Sequence, residues 1–318
     1  MARSKIQNEY DVSQYMSVGE AAALWNLSDR RVRYLCEQGK VEGVTRTGRS
    51  YKIPRGAIKP LDGRENRWFN IPEAFKEMFD RVDSEKRELD RRRPLTPGEL
   101  ARLRDEFTIN YTYNSNAIEG NTLTLSETRL VLEGVTIDQK PLKDHLEAVG
   151  HRDAFQYMLT LVSEDEPLTE RAIKELHSLV LIDRPQDKGV YRRIPVMISG
   201  ASHTPPQPYL VQPQMEQLVA AFNNSKDHVH PLERISKFHL DFEGVHPFID
   251  GNGRTGRLLL NFALMRAGYL PIDIKFADRR RYYAAFEAYY GAGDIKPMVD
   301  LVTGYEDEAL KERLAILA

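Results

Sequence analysis

Residues 246–257, His246-Pro-Phe-Ile-Asp-Gly-Asn-Gly-Arg-Thr-Gly-Arg257, carry more structural information than any other stretch of the chain. An apolar run follows at once, from Leu258 to Met265, so the pattern predicts a loop that opens a helix. Such a loop points free backbone N–H groups outward, and the helix dipole adds positive potential there. Arg254 and Arg257 share one face of the first turn. Because the dipole disfavours cations at that end, the two arginines indicate a bound polyanion.

The residue types in this stretch fit the transfer of a phosphoryl-type group. His246 can take a hydroxyl proton near neutral pH. Asp250 is a hard oxygen ligand suited to Mg²⁺ held between a carboxylate and phosphates. The backbone N–H groups of Gly251, Asn252 and Gly253 can stabilise charge on the phosphate under attack. The loop is therefore predicted to be a phosphate-binding site with a base and a metal ligand beside it.

The same stretch resembles the signature of the Fic (filamentation induced by cAMP) family, HxFx(D/E)GNGRxxR, with every specified position filled. Most Fic proteins transfer AMP from ATP to a side-chain hydroxyl of a protein. The resemblance covers about residues 95–305 and implies a mainly α fold, with a helical core and a β-hairpin flap. It also implies roles: His246 is the base, Asp250 holds Mg²⁺, and Arg254 and Arg257 contact the β- and γ-phosphates.

A second segment, Ser115-Asn-Ala-Ile-Glu-Gly-Asn121, resembles the inhibitory motif of the family, (S/T)xxxE(G/N). It precedes the signature, as in the class whose inhibitory helix lies N-terminal in the same chain. The resemblance implies that Glu119 pairs with Arg257 and blocks the γ-phosphate site, so that the α-phosphate of ATP is misplaced. We therefore expect low wild-type activity, which Glu119→Gly raises. The alternative is a solvated carboxylate at a helix end before Gly120.

Residues 189–200, followed by a proline-rich run to Pro208, alternate apolar residues with Gly and Pro. This pattern predicts a short hairpin. It resembles the Fic flap, which holds a target segment by strand addition. A surface strand with proline-rich edges is the alternative.

Apolar spacing over residues 278–290 predicts an amphipathic helix. By the resemblance, Tyr283 matches a tyrosine that family members place near the adenine and ribose. The asparagine expected later in that region is missing, and Tyr290 stands nearby. Aromatic core packing is the alternative for both tyrosines. A metal site formed by His239, His246 and Asp250 is conceivable, but no HExxH-like pattern supports it.

The composition predicts a folded, two-part protein. With 318 residues and 41% hydrophobic content, the chain fits two domains. We expect a winged helix-turn-helix domain over residues 1–64, a linker helix over 65–94 and the Fic domain over 95–318. One cysteine, Cys36, and the lack of a signal segment or a membrane-length apolar run favour a cytoplasmic protein.

The N-terminal part is basic. Residues 1–64 hold 12 Lys and Arg against 7 Asp and Glu, whereas the rest holds 33 against 40. A capped helix over 17–25, a second helix over 30–38 and a hairpin over 44–54 resemble the small winged-helix modules of the MerR and excisionase type. Residues 17–55 are accordingly predicted to bind DNA through Arg30, Arg31 and Arg33, or else to contact protein.

Taken together, the sequence predicts an autoinhibited adenylyltransferase that uses Mg-ATP to modify a Ser, Thr or Tyr hydroxyl of a target protein or of itself. Three alternatives stay open: removal of AMP from a modified protein, use of another nucleotide donor, and a DNA-binding regulator whose Fic body senses nucleotide. Since Fic proteins often form dimers, a homodimer is also expected.

Overall fold

The computed structural model describes residues 15–25, 27–48, 50–57, 71–198, 203–225 and 228–317. The chain divides into two compact units, one of residues 1–66 with 90–94 and one of residues 67–89 with 95–318. The predicted linker around residues 63–70 lies outside the described residues.

The small unit combines two helices with a three-stranded antiparallel sheet of order β1-β3-β2. Its elements are β1 (Tyr15–Met16), α1 (Val18–Trp25), α2 (Asp29–Glu37), β2 (Thr45–Thr47) and β3 (Ser50–Pro54). The predicted capping box is present, because the Glu20 carboxylate accepts from Ser17 N–H at 2.7 Å and Ser17 Oγ accepts from Glu20 N–H at 3.2 Å. Gly48, with φ +62°, lies at the bend between β2 and β3, where the left-handed region favours glycine.

The large unit is helical. Its elements are α3 (Glu73–Arg91), α4 (Pro97–Ile118), α5 (Leu125–Leu132), α6 (Leu142–Ser163), α7 (Glu170–Val180), α8 (Pro208–Asn224), α9 (Pro231–Val245), α10 (Asn252–Arg266), α11 (Arg279–Ala292) and α12 (Lys296–Ile316), with a short 3-10 turn at Phe276–Asp278. The helix predicted as a linker, α3, packs into this unit, where Phe79 stacks on His230 with ring centroids 3.9 Å apart.

Two helices place the site. α10 is buried along almost its whole length, and its buried residues include the polar side chains of Asn252, Arg254, Arg257 and Asn261. α4 begins at a capping box, in which Thr96 and Glu99 exchange side chain-to-backbone hydrogen bonds and Pro97 takes the first helical position. It ends at Ile118, so that Glu119 is the residue that caps it. The capping signals in the sequence therefore set where α4 begins and ends, and so set the position of Glu119.

The predicted flap hairpin is wrong for the described part of the segment. Residues 189–198 and 203–207 contain no strand, and residues 199–202 lie outside the described residues. A strand needs a hydrogen-bonded neighbour, and proline removes donors. The side chain of Arg192 holds the segment instead, donating to Pro206 O at 2.6 Å and to Ile194 O at 3.3 Å.

α8 begins at Pro208 and keeps Pro213 inside it. Within the described residues, no helix combines the length and apolar character needed to cross a bilayer.

Candidate active site

The signature loop joins α9 to α10 through two left-handed residues. His246 ends α9 with φ +48°, and Gly251 precedes α10 with φ +75°. The Asn252 side chain closes the loop, because its Nδ2 donates to Phe248 O and its Oδ1 accepts from Phe248 N–H, both at 2.9 Å. The first N–H groups of α10 lie ahead of its hydrogen-bond ladder and stay available for an anion.

His246 lies at the mouth of this loop, with a fifth of its side chain exposed. Its carbonyl oxygen accepts from Arg192 Nε at 2.8 Å, which fixes the backbone. Burial lowers the pKa of the imidazole to about 4, and the backbone carbonyl of Glu243 and the negative charge of Glu119 oppose that shift in part. The ring is therefore neutral at pH 7, the protonation state that a general base requires.

Asp250 is held by donors on several sides. Its Oδ1 accepts from Gly251 N–H at 2.6 Å and from Arg254 at 3.3 Å, and its Oδ2 lies 3.2 Å from Arg184. Burial raises its pKa, but Arg254 and the Gly251 N–H outweigh burial, so the net pKa is lowered and the carboxylate is ionised. A single carboxylate beside a helix N-terminus that can receive phosphate fits Mg²⁺, which is commonly held by one or two carboxylates and substrate phosphates.

The two signature arginines are almost completely buried, with 2% and 1% of Arg254 and Arg257 exposed. Arg254 lies 2.9 Å from Glu147 and 3.3 Å from Asp250. No described residue accepts a hydrogen bond from Nε of Arg254 or Nη1 of Arg257. Buried guanidinium donors are rarely left without acceptors, and phosphate oxygens are well matched to them.

Glu119 lies directly on this site. Its Oε1 accepts from Arg257 Nη2 at 2.8 Å, and Ser115 supplies the other acceptors of that arginine through Oγ at 3.0 Å and its carbonyl at 2.7 Å. A Cβ added to Gly253 would lie 2.1 Å from Glu119 Oε1. A carboxylate therefore already covers the first turn of α10, where an incoming anion would bind.

The aromatic residues of α11 surround the same region. The Tyr283 hydroxyl donates to Ile118 O at 3.1 Å, in the last turn of α4. Tyr290 donates to Leu240 O at 2.8 Å and stacks on His203. The metal site with His239 does not form, because both ring nitrogens of that residue are engaged, by Gly256 O at 3.1 Å and by the Tyr282 hydroxyl at 2.7 Å.

Several site residues escaped the sequence analysis. His177 stacks on Phe248 at 3.6 Å and bonds to Asp250 O at 2.9 Å. Glu147 pairs with Arg254, and Glu243 lies one helical turn before His246. Of these residues, Glu243 could have been found from the sequence, because it lies three positions before His246 and residues three apart on a helix are neighbours.

Gly256 lets α9 and α10 approach closely. A Cβ there would lie 2.1 Å from Glu243 Oε1 and 3.1 Å from His239 Cε1. We expect Gly256→Ala to lower the free energy of unfolding by about 1–3 kcal/mol through overpacking, measured by urea denaturation. Adding Glu243→Ala should restore most of the loss, and an equal loss in both variants would contradict this account.

The fold and the site together define a helical protein with a glycine-rich loop before a helix N-terminus, a neutral histidine and a covering carboxylate. Residues 167–264 match the model of the Fic/DOC family. Over 269 residues the chain is 38% identical to protein adenylyltransferase Fic of Nematostella vectensis, covering 80% of this chain and 61% of that protein. It is 35% identical over 237 residues to the Culex quinquefasciatus protein of the same name, covering 73% and 46%.

Two solved structures of Fic proteins are also similar to this chain. Fic-1 from C. elegans superposes with a TM-score of 0.67 at 31% identity, covering 76% of this chain and 71% of that chain. A Fic-domain-containing signaling protein from Bacteroides thetaiotaomicron gives a TM-score of 0.66 at 29% identity, covering 74% and 96%. The chain therefore belongs to the Fic/DOC family. It spans 61% and 46% of the length of the two curated relatives.

Proposed function

We propose that this protein is an autoinhibited protein adenylyltransferase, which transfers AMP from ATP to a hydroxyl side chain of a protein. One observation carries the proposal: the Glu119 carboxylate contacts both Arg257 and the first turn of α10. The Glu119 carboxylate thus occupies the position at which a loop before a helix N-terminus binds phosphate. Two relatives that cover most of this chain are named as adenylyltransferases.

In the proposed reaction, His246 takes the proton from the target hydroxyl. The hydroxyl oxygen forms a bond to the α-phosphorus, the bond from that phosphorus to the oxygen bridging to the β-phosphate breaks, and pyrophosphate leaves. Arg254 and Arg257 hold the outer phosphates, and the N–H groups at the start of α10 stabilise the charge that develops on the α-phosphate. Bound Mg²⁺ would neutralise phosphate charge, with Asp250 as its protein ligand.

The segment over residues 189–198 supports the binding of a protein target. Arg192 anchors it to the loop, since Arg192 N–H donates to Pro247 O at 2.9 Å and its side chain contacts His246 O. Three of its large apolar side chains face solvent, Val190 with 42%, Ile194 with 53% and Met197 with 89% exposed. An extended target segment could pair with this backbone and cover those side chains.

Autoinhibition follows from the same contacts. A γ-phosphate that reaches Arg257 must displace the Glu119 carboxylate, because like charges repel and both need the same donor. With Glu119 in place, ATP is held away from that arginine and its α-phosphate is displaced from His246. Displacement of the glutamate is thus the regulated step.

Incubation of the purified protein with Mg²⁺ and ATP labelled at the α-phosphate tests the proposal. Label on protein in the Glu119→Gly variant supports it, and label from another nucleoside triphosphate alone would reassign the donor. Release of AMP from a pre-labelled target by the wild type would favour the reverse reaction. Absence of label and of release in every variant would refute the enzyme assignment.

For the small unit we propose DNA binding, because α2 exposes basic side chains beside the β2–β3 hairpin. Arg30 and Arg33 of α2 and Arg46 of β2 are all exposed. We expect the double variant Arg30→Ala/Arg33→Ala to weaken binding to duplex DNA. Its affinity should also depend less on salt, with a log–log slope shallower by about one for each phosphate that is no longer neutralised. Fluorescence anisotropy against salt concentration measures both quantities.

The matched control is Glu37→Ala, an exposed acidic residue on the same helix, which should leave duplex binding unchanged or stronger. If the wild type binds no duplex in moderate salt, the small unit serves protein contact instead.

A further inference from the structure

Glu243 is a buried carboxyl group that the reaction described above does not use. It lies in the last turn of α9, three residues before His246, with 8% of the residue exposed. Its Oε2 lies 3.9 Å from Nδ1 of the imidazole. Its Oε1 has no hydrogen-bond donor among the described residues, and no described side chain accepts a hydrogen bond from Nδ1. The backbone carbonyl of Glu243 acts on the ring as well and raises its pKa. A buried carboxyl oxygen without a donor therefore lies beside the imidazole.

The position of the carboxyl group is constrained from the opposite side. Its Oε1 lies against the backbone of α10, where a Cβ at Gly256 would approach it to 2.1 Å. The absence of a side chain at Gly256 makes the space that the carboxyl group fills. Glu243 is thus confined between α10 and the imidazole, and a small rotation of either side chain would close the gap to a hydrogen bond.

We propose that Glu243 is the positioning residue of His246: it holds Nδ1–H inward, so that Nε2 faces the target hydroxyl and accepts its proton. The proposal rests on the proposed transferase function and deepens it. A carboxylate beside Nδ1 also stabilises the imidazolium that forms when the proton is transferred, because opposite charges at this distance attract strongly in a buried site.

Electrostatics connect this pair to the inhibitory residue. Burial and the nearby charge of Glu119 raise the pKa of Glu243 to about 8, against the opposing charge of Arg257. Glu243 is therefore mostly protonated at pH 7 while Glu119 is in place. Removing Glu119 removes a negative charge that raises the pKa of Glu243. That pKa therefore falls, and a larger fraction of the carboxyl group is ionised.

The ionised carboxylate then acts on the base. A negative charge on Glu243 favours the imidazolium and raises the pKa of His246, which compensates for the loss of the Glu119 charge that raises this pKa in the wild type. A general base is more effective when its pKa lies closer to the working pH. The titratable and charged groups that face Glu243 lie on four elements: Glu119 beyond α4, His239 on α9 and His246 at its end, Arg257 on α10, and Tyr282, Tyr283 and Tyr290 on α11.

The first test needs no nucleotide. The pKa of His246 is measured by NMR titration of its ring signals in the full-length protein, assigned with His246→Ala. In the Glu119→Gly background, we expect Glu243→Gln to lower that pKa by about 1. With Glu119 present, the same change should have a smaller effect, because Glu243 is already mostly protonated. An unchanged pKa in both backgrounds would overturn the proposal.

The second test uses activity. In the Glu119→Gly background, Glu243→Gln should lower kcat for AMP transfer by about tenfold or more and leave the KM for ATP within about twofold. Since the base must be neutral, a lower His246 pKa moves the acid limb of the pH profile to lower pH. Glu243→Asp, which keeps the charge, should recover part of the rate.

Glu233→Gln is the matched control, the same change in the first turn of the same helix, and should leave kcat and the acid limb in place. A purely structural role for Glu243 would lower kcat without moving the acid limb, and that outcome would overturn the proposal. If the Glu119→Gly parent itself transfers no AMP, the proposed function fails, and the NMR titration still decides the role of Glu243.

Discussion

Glu119→Gly should raise the rate of AMP transfer by at least about tenfold. In the wild type, productive binding of ATP requires displacement of the carboxylate, and each 1.36 kcal/mol of that free-energy cost lowers the rate about tenfold. The Glu119–Arg257 contact at 2.8 Å is the one that a γ-phosphate must replace. After the substitution, Arg257 keeps both bonds to Ser115 and presents its remaining donors to phosphate. Incorporation of label from α-labelled ATP, into the enzyme and into added proteins, measures the change.

A stability measurement separates this cause from a general loosening of the fold. Without nucleotide, the variant leaves Arg257 buried without its carboxylate, so its Tm should lie below that of the wild type. Saturating Mg-ATP should raise the Tm of the variant more than that of the wild type, because tighter binding to the folded state adds more stability.

The matched control is Glu133→Gly, an exposed glutamate that ends α5 just before Gly134, as Glu119 ends α4 just before Gly120. It makes the same backbone change at a helix end away from Arg257, and it should leave the transfer rate and the effect of Mg-ATP on Tm as in the wild type. Equal rates of AMP transfer in the wild type and Glu119→Gly would defeat the autoinhibition proposal.

His246→Ala, introduced into Glu119→Gly, should lower AMP transfer by about 10²–10⁴-fold, the usual contribution of a positioned general base. The substitution removes the imidazole and leaves the phosphate-binding groups intact, because the loop is closed by Asn252 and Phe248. Affinity for Mg-ATP, measured by calorimetry, should therefore stay within about threefold of the parent. Initial rates with α-labelled ATP give the loss.

A second variant guards against a change in the loop backbone. His246 adopts φ +48°, a conformation that costs alanine more than it costs asparagine or histidine. His246→Asn should therefore bind ATP as the parent does and lose AMP transfer to the same extent as His246→Ala. Retention of transfer by either variant would mean that another group removes the hydroxyl proton.

Sequence patterns located much of the candidate site because most of its residues lie in two short continuous segments, 115–121 and 246–257. The end of α4 at Ile118 follows from capping signals and from Gly120, so the position of Glu119 was predictable along the chain. Its contact with Arg257, 138 positions away, came from the family resemblance and not from any pattern in the residues. The fold class was likewise predictable, because helical spacing runs through most of the large unit.

The remaining errors have physical causes. The flap segment alternates like a strand, but alternation shows only which residues are apolar and not whether a hydrogen-bonding neighbour exists. The Arg192 side chain donates to the carbonyls of Ile194 and Pro206 instead. Glu243 was not singled out, because glutamate on a helix is usually exposed, whereas the space left by Gly256 lets it be buried. Such complementary pairs arise from packing between helices, which periodicity along one helix does not report.

The contacts of Arg257 have a consequence for how such a protein can change over generations. Two of its three hydrogen bonds come from Ser115, so the arginine keeps its aim whatever residue stands at position 119. A single substitution at position 119 can then change the activity of the site, while the fold, His246 and the arginines that hold phosphate stay the same. Without nucleotide, an active descendant would be less stable than its inhibited ancestor, because Arg257 stays buried without its carboxylate. Bound nucleotide would offset that loss.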